Sequence, residues 1–208
     1  MKEFEFSMKK NNEPNPLFPV FLKLHQLKTL VVGAGTVGLE KLTALLSNSP
    51  LAAVTVVAPR IKEELRNLAG QYPHCTLIER EFREEDLEEK HFVICATDNH
   101  ELHKVIKQLA ARKNIIVNVA DTPELCDCYL GSIVQKGSIK IAISTNGKSP
   151  TIAKRLKEIF SDLLPDEMEE LLDNMQKIRN SIKGDFEEKV KQLNAITRDF
   201  SSKKAEKV

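Results

Sequence analysis

The chain has 208 residues, of which 41% are hydrophobic and 29% are charged, and its formal net charge is +1. This composition is ordinary for a globular protein, and a charge so close to zero argues against binding to nucleic acid through bulk electrostatics. No apolar run approaches the length of a membrane span, and residues 1–16 lack the apolar core of a signal peptide. We therefore expect a cytoplasmic protein without nucleic-acid or membrane partners, with a flexible arm over residues 1–16.

The four cysteines, Cys75, Cys95, Cys126 and Cys128, are expected to be reduced thiols because no secretion signal is recognised. Cys126 and Cys128 are separated by one residue, which differs from the C-x-x-C spacing of zinc sites and redox pairs. Packing is therefore the favoured role for both, and no metal site is predicted.

Strand and helix patterns alternate from about Thr29 to Asn118. Five runs are rich in Val and Ile and almost continuously apolar, as parallel strands covered on both faces are. These runs are Thr29–Val32, Val54–Ala58, Thr76–Glu79, Phe92–Ala96 and Ile115–Asn118. The alternation predicts an α/β fold with an open, mostly parallel sheet.

The helix after the fourth strand run is predicted to begin at an N-cap formed by Asp98 or Asn99. Its predicted apolar stripe consists of Leu102, Val105, Ile106, Leu109 and Ala110. His100 and His103 lie on the same helix, and we expect each to be solvated or to cap.

A G-x-G-x-x-G pattern runs from Gly33 to Gly38, between the first strand and a helical run. Gly33 permits the tight turn, Gly35 lets the backbone approach a pyrophosphate, and Gly38 lets the helix pack close to the strand. The free N–H groups of the helix N-terminus favour phosphate oxygens. The pattern predicts dinucleotide binding, and the alternative is a domain of this shape that has lost its ligand or binds it only for regulation.

The acidic residue that usually holds the cofactor ribose after the second strand is missing here, where Pro59 and Arg60 follow Ala58. Three interpretations remain open at this point. Arg60 favours a 2′-phosphate and hence NADP, or backbone groups near Pro59 and Arg60 hold the ribose, or no dinucleotide binds.

Polar residues follow the fourth and fifth strand runs, where ligands bind in open α/β sheets. Thr97 is a candidate cofactor contact. Asp121 is a candidate to accept a proton while a hydride leaves for a nicotinamide. The alternative for Asp121, which is equally weighted, is a hydrogen bond within its own turn before Pro123.

The pattern changes after Asn118. Ser132–Gln135 and Ile139–Ser144 are two short strand runs joined as a hairpin, which either leaves the main sheet or extends its edge. Helices are predicted over Thr151–Leu163, with Ser149 as N-cap and Pro150 first, and over Pro165–Ile182. Gly184 is expected to end the second helix. A third apolar stripe runs from Phe186 to Phe200, followed by a lysine-rich tail.

The turn between the hairpin and the first of these helices is polar and basic. Ser144, Thr145 and Lys148, with Lys154 and Arg155 just beyond, suit an anionic substrate with several carboxylates. The alternative is an ordinary capped helix with solvated basic side chains.

Several segments, taken together, resemble the precorrin-2 dehydrogenase/sirohydrochlorin ferrochelatase family, the stand-alone counterpart of the N-terminal half of siroheme synthase. The match spans roughly Leu17 to Phe160. The segments that carry it are Leu17–Leu22, Val31–Gly38, Val54–Pro59, Ala96–Asp98, Asn118–Asp121 and Ile143–Pro150.

The resemblance implies a homodimer with an NAD-binding Rossmann domain over 17–120 and a dimerisation segment over 121–149. A helical C-terminal domain over 150–200 and a disordered tail over 201–208 follow. It also implies NAD+-dependent oxidation of precorrin-2 to sirohydrochlorin, and in many members insertion of Fe2+ to give siroheme. Chelatase competence and the choice between Fe2+ and Co2+ stay open.

Family residues carry over onto matching positions of this chain. The key aspartate falls on Asp121, and the cofactor contacts fall on the glycine turn with Thr36 and Val37, and on Pro59 and Arg60. The missing ribose carboxylate is therefore normal for this family. A serine that is phosphorylated in some relatives corresponds to Thr145, and the family often has asparagine where this chain has His103.

The resulting hypothesis places NAD+ over the glycine turn and a tetrapyrrole in the adjoining crevice. Asp121 relays a proton, and Ser144, Thr145, Lys148 and Arg155 hold substrate carboxylates. A rival hypothesis is an NAD-sensing Rossmann module without turnover, which usually keeps the acidic residue that this chain lacks. A third is a redox enzyme for a small metabolite.

Overall fold

The computed structural model of the protein describes residues 15–182 and 185–202. The predicted arm over 1–16 lies mostly outside this range, as do Gly184 and most of the predicted tail over 201–208. The chain divides into two compact units. The first comprises Met1–Leu130 with Asn146–Lys148, and the second comprises Gly131–Thr145 with Ser149–Val208.

The first unit is a five-stranded parallel sheet with helices on both faces. Its strands are β1 (Lys28–Val32), β2 (Ala53–Ala58), β3 (Cys75–Glu79), β4 (Phe92–Cys95) and β5 (Ile116–Val119). Its helices are α1 (Thr36–Asn48), α2 (Glu63–Ala69) and α3 (His100–Arg112). Each predicted strand is present, with its ends within one residue of the prediction. The predicted α/β class is therefore confirmed.

The strand order is β3-β2-β1-β4-β5, and all four neighbouring pairs are parallel. This is the order of a Rossmann-type sheet, in which β1 and β4 are neighbours although their following connections leave in opposite directions. The carboxyl ends of β1 and β4 therefore border a crevice.

Successive residues of β1 pack into two different apolar clusters, one on each face of the sheet. Val31 belongs to the cluster that α1 and α2 cover with Leu42, Leu46 and Leu65. Leu30 and Val32 belong to the cluster that α3 covers with Ile106 and Ala110. Each fully buried Val or Leu stabilises the fold by about 1.5–3 kcal/mol, so the central strands hold the carboxyl-end loops on a rigid base.

Helix α3 packs with most of its predicted stripe, but the centre of the buried face is shifted from Val105 toward His103. Asn99 is its N-cap, since its side chain accepts a hydrogen bond from the Leu102 N–H at 3.0 Å. Val105 is 48% exposed, whereas His103 is only 1% exposed and packs beside Ile106. The expectation of a solvated or capping His103 was therefore wrong, because the buried face is centred on His103, Ile106 and Ala110.

The second unit combines an antiparallel hairpin with three helices. Strands β6 (Ser132–Lys136) and β7 (Ile139–Ile143) form a separate two-stranded sheet, which decides between the two predicted arrangements. The helices are α4 (Pro150–Leu163), α5 (Met168–Ser181) and α6 (Phe186–Ser202). As predicted, Ser149 caps α4, because its hydroxyl accepts a hydrogen bond from the Ile152 N–H at 3.2 Å, and Pro150 is its first residue.

The tip of this hairpin is held by acidic side chains at the start of α5. Gly137 adopts a positive φ of 54°, at the first position of the two-residue loop. The carboxylate of Glu169 accepts hydrogen bonds from both the backbone N–H and the hydroxyl of Ser138, and Lys136 forms an ion pair with Asp166.

Over the part of the chain that the structure describes, no helix is both long enough and apolar enough to cross a bilayer.

Candidate functional site

A cleft of about 940 Å³ lies at the carboxyl edge of the five-stranded sheet. It is lined by residues that follow β1, β2, β4 and β5, as expected for a ligand site at the switch point of such a sheet. The structure brings eight of the predicted site residues together in its lining: Gly33, Gly35, Thr36, Val37, Pro59, Arg60, Thr97 and Asp121.

The glycine turn packs so tightly against its neighbours that side chains are excluded at two positions. Gly33 has φ of 108°, and a Cβ there would lie 2.5 Å from the carbonyl oxygen of Ala96. A Cβ on Gly38 would lie 2.2 Å from the carbonyl oxygen of Gly33. Both positions therefore require glycine, and Gly38 supports the turn from beneath without lining the cleft.

Gly35 differs because it borders open space. A Cβ built at Gly35 has no described atom within 4 Å, and the residue is the N-cap of α1. Because glycine has no side chain, Gly35 cannot accept a hydrogen bond from the backbone N–H groups in the first turn of α1 through a side-chain cap. The turn is thus a concave surface with helix N–H groups beyond it, which fits the diphosphate of a dinucleotide.

A lysine that the sequence analysis did not single out lies beside this turn. The Lys62 ammonium donates a hydrogen bond to the Thr36 hydroxyl at 2.7 Å, and its backbone N–H donates to the Ala34 carbonyl at 3.3 Å. It adds a positive charge next to the N-terminus of α1, which favours an anionic ligand there. Lys62 is the N-cap of α2 and lies 26 residues after Thr36, so no local sequence pattern connected it with the glycine turn.

The β2 side of the cleft carries charges of both signs. Pro59 and Arg60 line it as predicted, and Glu81 and Phe82 join them from the segment after β3. This segment is anchored because Arg80 binds Asp86 through two hydrogen bonds, of 2.8 and 2.6 Å. The Arg80 guanidinium lowers the pKa of the Asp86 carboxyl, so the pair stays ionised at neutral pH.

The β4 side presents the hydroxyl of Thr97. Its oxygen accepts a hydrogen bond from the Asn99 N–H at 3.1 Å and lies 2.8 Å from Nε2 of His103. Burial, together with the nearby His100, lowers the pKa of the His103 ring, so the ring is neutral at neutral pH.

Asp121 lies two residues beyond β5 with its backbone in the left-handed region, at φ of 57°. Aspartate tolerates this conformation better than most residues. The preceding Ala120 N–H donates to the Cys95 carbonyl at 2.9 Å, which ties the loop to the end of β4. The exposed residue Asp121 thereby lies on the wall of the cleft opposite the β2 side.

Cys126 and Asp127 fix the strand that leads to Asp121. The Val119 N–H donates to the Cys126 sulfur at 3.2 Å, and Asp127 accepts from the Val117 N–H at 2.9 Å. These bonds explain why residues 121–130 belong to the first unit, although the sequence placed that segment with the hairpin.

Cys95 is buried, and the other three cysteines are partly buried. Burial raises the pKa of Cys95 to about 12 and of Cys128 to about 11, and it also raises the pKa of Cys126. Cys128 packs against the cluster under α1, and Cys126 against the cluster under α3. These contacts are those expected for the packing role favoured from the sequence.

Three of the predicted substrate-binding residues, Ser144, Thr145 and Lys148, lie in the turn between β7 and α4, and Arg155 lies within α4. The Thr145 hydroxyl donates to the Ser149 carbonyl at 3.1 Å and accepts from the Ser149 N–H at 3.2 Å, so it braces the start of α4. Arg155 pairs with Glu158 at 2.6 Å and remains exposed, and Lys148 is exposed. Ser144 and Arg155 belong to the second unit, and their role toward a substrate stays a prediction.

Comparison with known proteins decides the family. Residues 20–132, more than half of the chain, match the family described as putative NAD(P)-binding. The chain belongs to this putative NAD(P)-binding family. Residues 136–163 match a second description, sirohaem biosynthesis protein central. The predicted resemblance is therefore confirmed, and a nicotinamide cofactor is supported for this NAD(P)-binding chain.

Individual relatives agree with the family. The siroheme synthases of Nitrosomonas europaea and Pseudoalteromonas translucida are 34% and 38% identical to the chain over 81% and 84% of its length. The chain spans about a third of the length of these relatives, 35% and 34%. A solved structure of SirC, precorrin-2 dehydrogenase, aligns with a TM-score of 0.70 and 26% identity, covering 86% of this chain and 89% of that one.

Proposed function

We propose that this protein oxidises precorrin-2 to sirohydrochlorin with NAD+ as the hydride acceptor, acting in the cytoplasm as a homodimer. The observation that carries the proposal is one cleft lined by both a glycine turn suited to a dinucleotide and the exposed carboxylate of Asp121. The similarity to SirC, precorrin-2 dehydrogenase, and to siroheme synthases supports the choice of substrate.

The cofactor's diphosphate would be held by the backbone of the glycine turn and the first turn of α1, beside the Lys62 ammonium. We choose NAD+ rather than NADP+ because the carboxylate of Glu81 lines the β2 side of the cleft together with Arg60. A carboxylate at that wall disfavours a 2′-phosphate through like-charge repulsion. When bound, the nicotinamide supplies the acceptor for a hydride.

Asp121 has the role of proton acceptor in this proposal. Loss of a hydride from a C–H bond and of a proton from a neighbouring position leaves a new double bond in the macrocycle, and a positioned carboxylate can take that proton. The left-handed backbone of Asp121 and the hydrogen bond from the preceding Ala120 to β4 support this role, because they hold the backbone of Asp121 at the cleft wall. Ser144, Thr145, Lys148 and Arg155 are proposed to hold substrate carboxylates.

The proposal extends to insertion of Fe2+ into sirohydrochlorin, the step that would complete siroheme. Asp121 would then take protons from pyrrole nitrogens as the metal ion enters. Among the described residues, no group of three or more His, Cys, Asp or Glu side chains is placed to hold a metal ion. In this proposal, Fe2+ is a substrate that enters the cleft, and it is not a resident cofactor.

The test is anaerobic turnover of enzymatically made precorrin-2 with NAD+, followed by the absorbance of sirohydrochlorin. Asp121→Asn is the sharpest variant, because asparagine also tolerates the left-handed backbone, whereas Asp121→Ala removes the carboxylate and strains the turn. We expect Asp121→Asn to lower kcat by roughly a hundredfold or more with NAD+ binding retained.

Two controls separate the possible failures. Added Fe2+ tests the chelatase step on the sirohydrochlorin formed. Folded wild-type protein that binds NAD+ but turns over neither with NAD+ nor with NADP+ would overturn the enzymatic proposal. Equal turnover by wild type and Asp121→Asn would remove Asp121 from the chemistry.

A further inference from the structure

His103 is a buried polar side chain that neither the glycine turn nor Asp121 requires. It is 1% exposed, lies on α3 next to Ile106, and has two ring nitrogens in unlike surroundings. Nε2 lies 2.8 Å from the Thr97 hydroxyl oxygen, whereas Nδ1 is buried with no hydrogen-bond partner among the described residues. Burial of a polar atom without a hydrogen-bond partner destabilises the fold relative to an apolar side chain at the same position. A functional role for His103 would offset this cost.

The hydrogen-bond inventory of Thr97 determines where the ring proton lies. A hydroxyl has one hydrogen to donate and two acceptor positions, and one of these already accepts from the Asn99 N–H. The neutral ring carries one proton. A proton on Nδ1 would bury an N–H donor without an acceptor, which is rare in proteins. A proton on Nε2 buries only a lone pair, and the N–H then donates to Thr97.

This arrangement occupies both acceptor positions of Thr97 and leaves its own hydrogen to donate elsewhere. Thr97 lines the cleft, and its methyl group lies against the glycine turn, where a Cβ on Gly33 would meet it at 2.9 Å. The hydroxyl therefore keeps its own hydrogen to donate, on a residue that lines the cleft a dinucleotide would enter. Without the His103 donor, the hydroxyl could instead turn inward.

We propose that His103 is a positioning residue, which donates from Nε2 to Thr97 and thereby presents the Thr97 hydroxyl as a hydrogen-bond donor to an oxygen of the bound dinucleotide. The proposal rests on the proposed use of the cleft by NAD+. His103 acts only through Thr97, since its ring is buried and His103 does not line the cleft. His100, whose ring stands edge-on to His103 at 5.8 Å, is exposed and lines the cleft itself.

The first test reads the ring proton directly in the wild-type chain. Nitrogen-15 spectra of the labelled, ligand-free protein separate protonated from bare imidazole nitrogens, and His103→Gln identifies the His103 resonances among those of five histidines. We expect a protonated Nε2 and a bare Nδ1 at neutral pH. A protonated Nδ1 would overturn the inference, because Thr97 would then donate to the ring.

The second test is a double-mutant cycle on NAD+ binding, measured by calorimetry. Thr97→Val is expected to raise the Kd of NAD+ roughly tenfold, and His103→Phe, which keeps the ring shape and loses both nitrogens, roughly threefold to fivefold. In the Thr97→Val background the His103→Phe effect should disappear, because the two residues act through one hydrogen bond. His103→Gln, which keeps a donor, should stay within about twofold of wild type.

The outcomes distinguish this inference from the proposed function. Additive effects of the two substitutions would show that His103 acts through packing and would overturn the inference while NAD+ binding stands. Failure of the wild-type chain to bind NAD+ at all would overturn the proposed function and the ligand half of the inference together. If His103→Phe does not fold, the spectra and His103→Gln still decide.

Discussion

Two turns of this protein contain a glycine with a positive φ, but the space beside one turn is filled and the space beside the other is open. Gly33, after β1, and Gly137, at the hairpin tip, both have positive φ values, 108° and 54°. At the hairpin tip, the carboxylate of Glu169 fills the adjoining space and accepts hydrogen bonds from Ser138. Beside the turn after β1, the space at Gly35 is open.

The two turns differ in whether a carboxylate of the protein itself lies against the backbone N–H groups. Turns and helix starts expose backbone N–H groups that favour negative charge. At the hairpin, the carboxylate of Glu169 supplies the negative charge, so this turn has a structural role. The turn after β1 has no such carboxylate among the described residues, and the ammonium of Lys62 stands nearby instead. In the proposed function, an external anion, the diphosphate of a dinucleotide, occupies this turn.

The largest expected effect comes from filling the open space. Gly35→Val should weaken NAD+ binding by roughly a hundredfold or more, since the side chain would occupy the approach of the diphosphate. Gly35 has φ of −82° and ψ of −156°, which valine can adopt, and the added Cβ meets no described atom within 4 Å. Calorimetry should show the loss of binding while the melting temperature stays close to that of wild type. A large fall in melting temperature would contradict an open, ligand-facing position.

A structural glycine of the same motif should behave in the opposite way. Gly38→Ala places a Cβ 2.2 Å from the Gly33 carbonyl oxygen and should cost about 3 kcal/mol of unfolding free energy, because backbone must move. Urea unfolding measures this cost. Gly70→Ala is the matched control, since its Cβ would come no closer than 3.4 Å to a described atom and its φ is −61°. Its effect should stay within about 1 kcal/mol.

The hairpin glycine should show an intermediate cost. Gly137→Ala retains the unfavourable positive φ and places a Cβ 2.1 Å from a Glu169 carboxylate oxygen. That oxygen ends a flexible side chain, which can move aside, so we expect about 1–2 kcal/mol of destabilisation and unchanged NAD+ affinity. Urea unfolding and calorimetry on the same variant check both parts. A change in NAD+ affinity would break the comparison between the two turns.

The smallest expected effect is a pH dependence at the hairpin. Hydrogen bonds from Ser138 lower the pKa of the Glu169 carboxyl below its usual 4.5. Because the folded-state pKa is depressed, the contribution of Glu169 to stability is present above about pH 4.5 and is lost as the pH falls through the lowered value. The melting temperature of wild type should therefore exceed that of Glu169→Gln near neutral pH, and the gap should narrow in acid.

Local patterns predicted most of the first unit. The glycine motif and five apolar runs lie in short stretches whose own residues decide their structure, and the cap formed by Ser149 and Pro150 is equally local. His103 was misplaced because a polar residue was assumed to face solvent. His103, Ile106 and Ala110 are spaced three and four residues apart, as on one face of a helix. Burial of the His103 ring could therefore have been predicted from this spacing, had the spacing been given more weight than the polarity of histidine.

Other parts of the site depend on contacts between residues far apart in the chain. Lys62 reaches Thr36 across 26 positions, and Glu81 joins the cleft from a segment after β3 whose anchor is the pair of Arg80 and Asp86. No periodicity marks such residues, because only the strand order brings their segments together. The functional roles of the residues in the cleft remain predictions for the experiments above.

The bonds from Cys126 and Asp127 to β5 also bear on self-association. A strand at the edge of a sheet exposes backbone donors and acceptors that can recruit a strand from another molecule. Here Asp127 accepts from the Val117 N–H and donates its own N–H to the Val117 carbonyl at 2.8 Å, while Cys126 accepts from Val119. The residues that steady the approach to Asp121 therefore also close this edge of the sheet to edge-to-edge polymerisation.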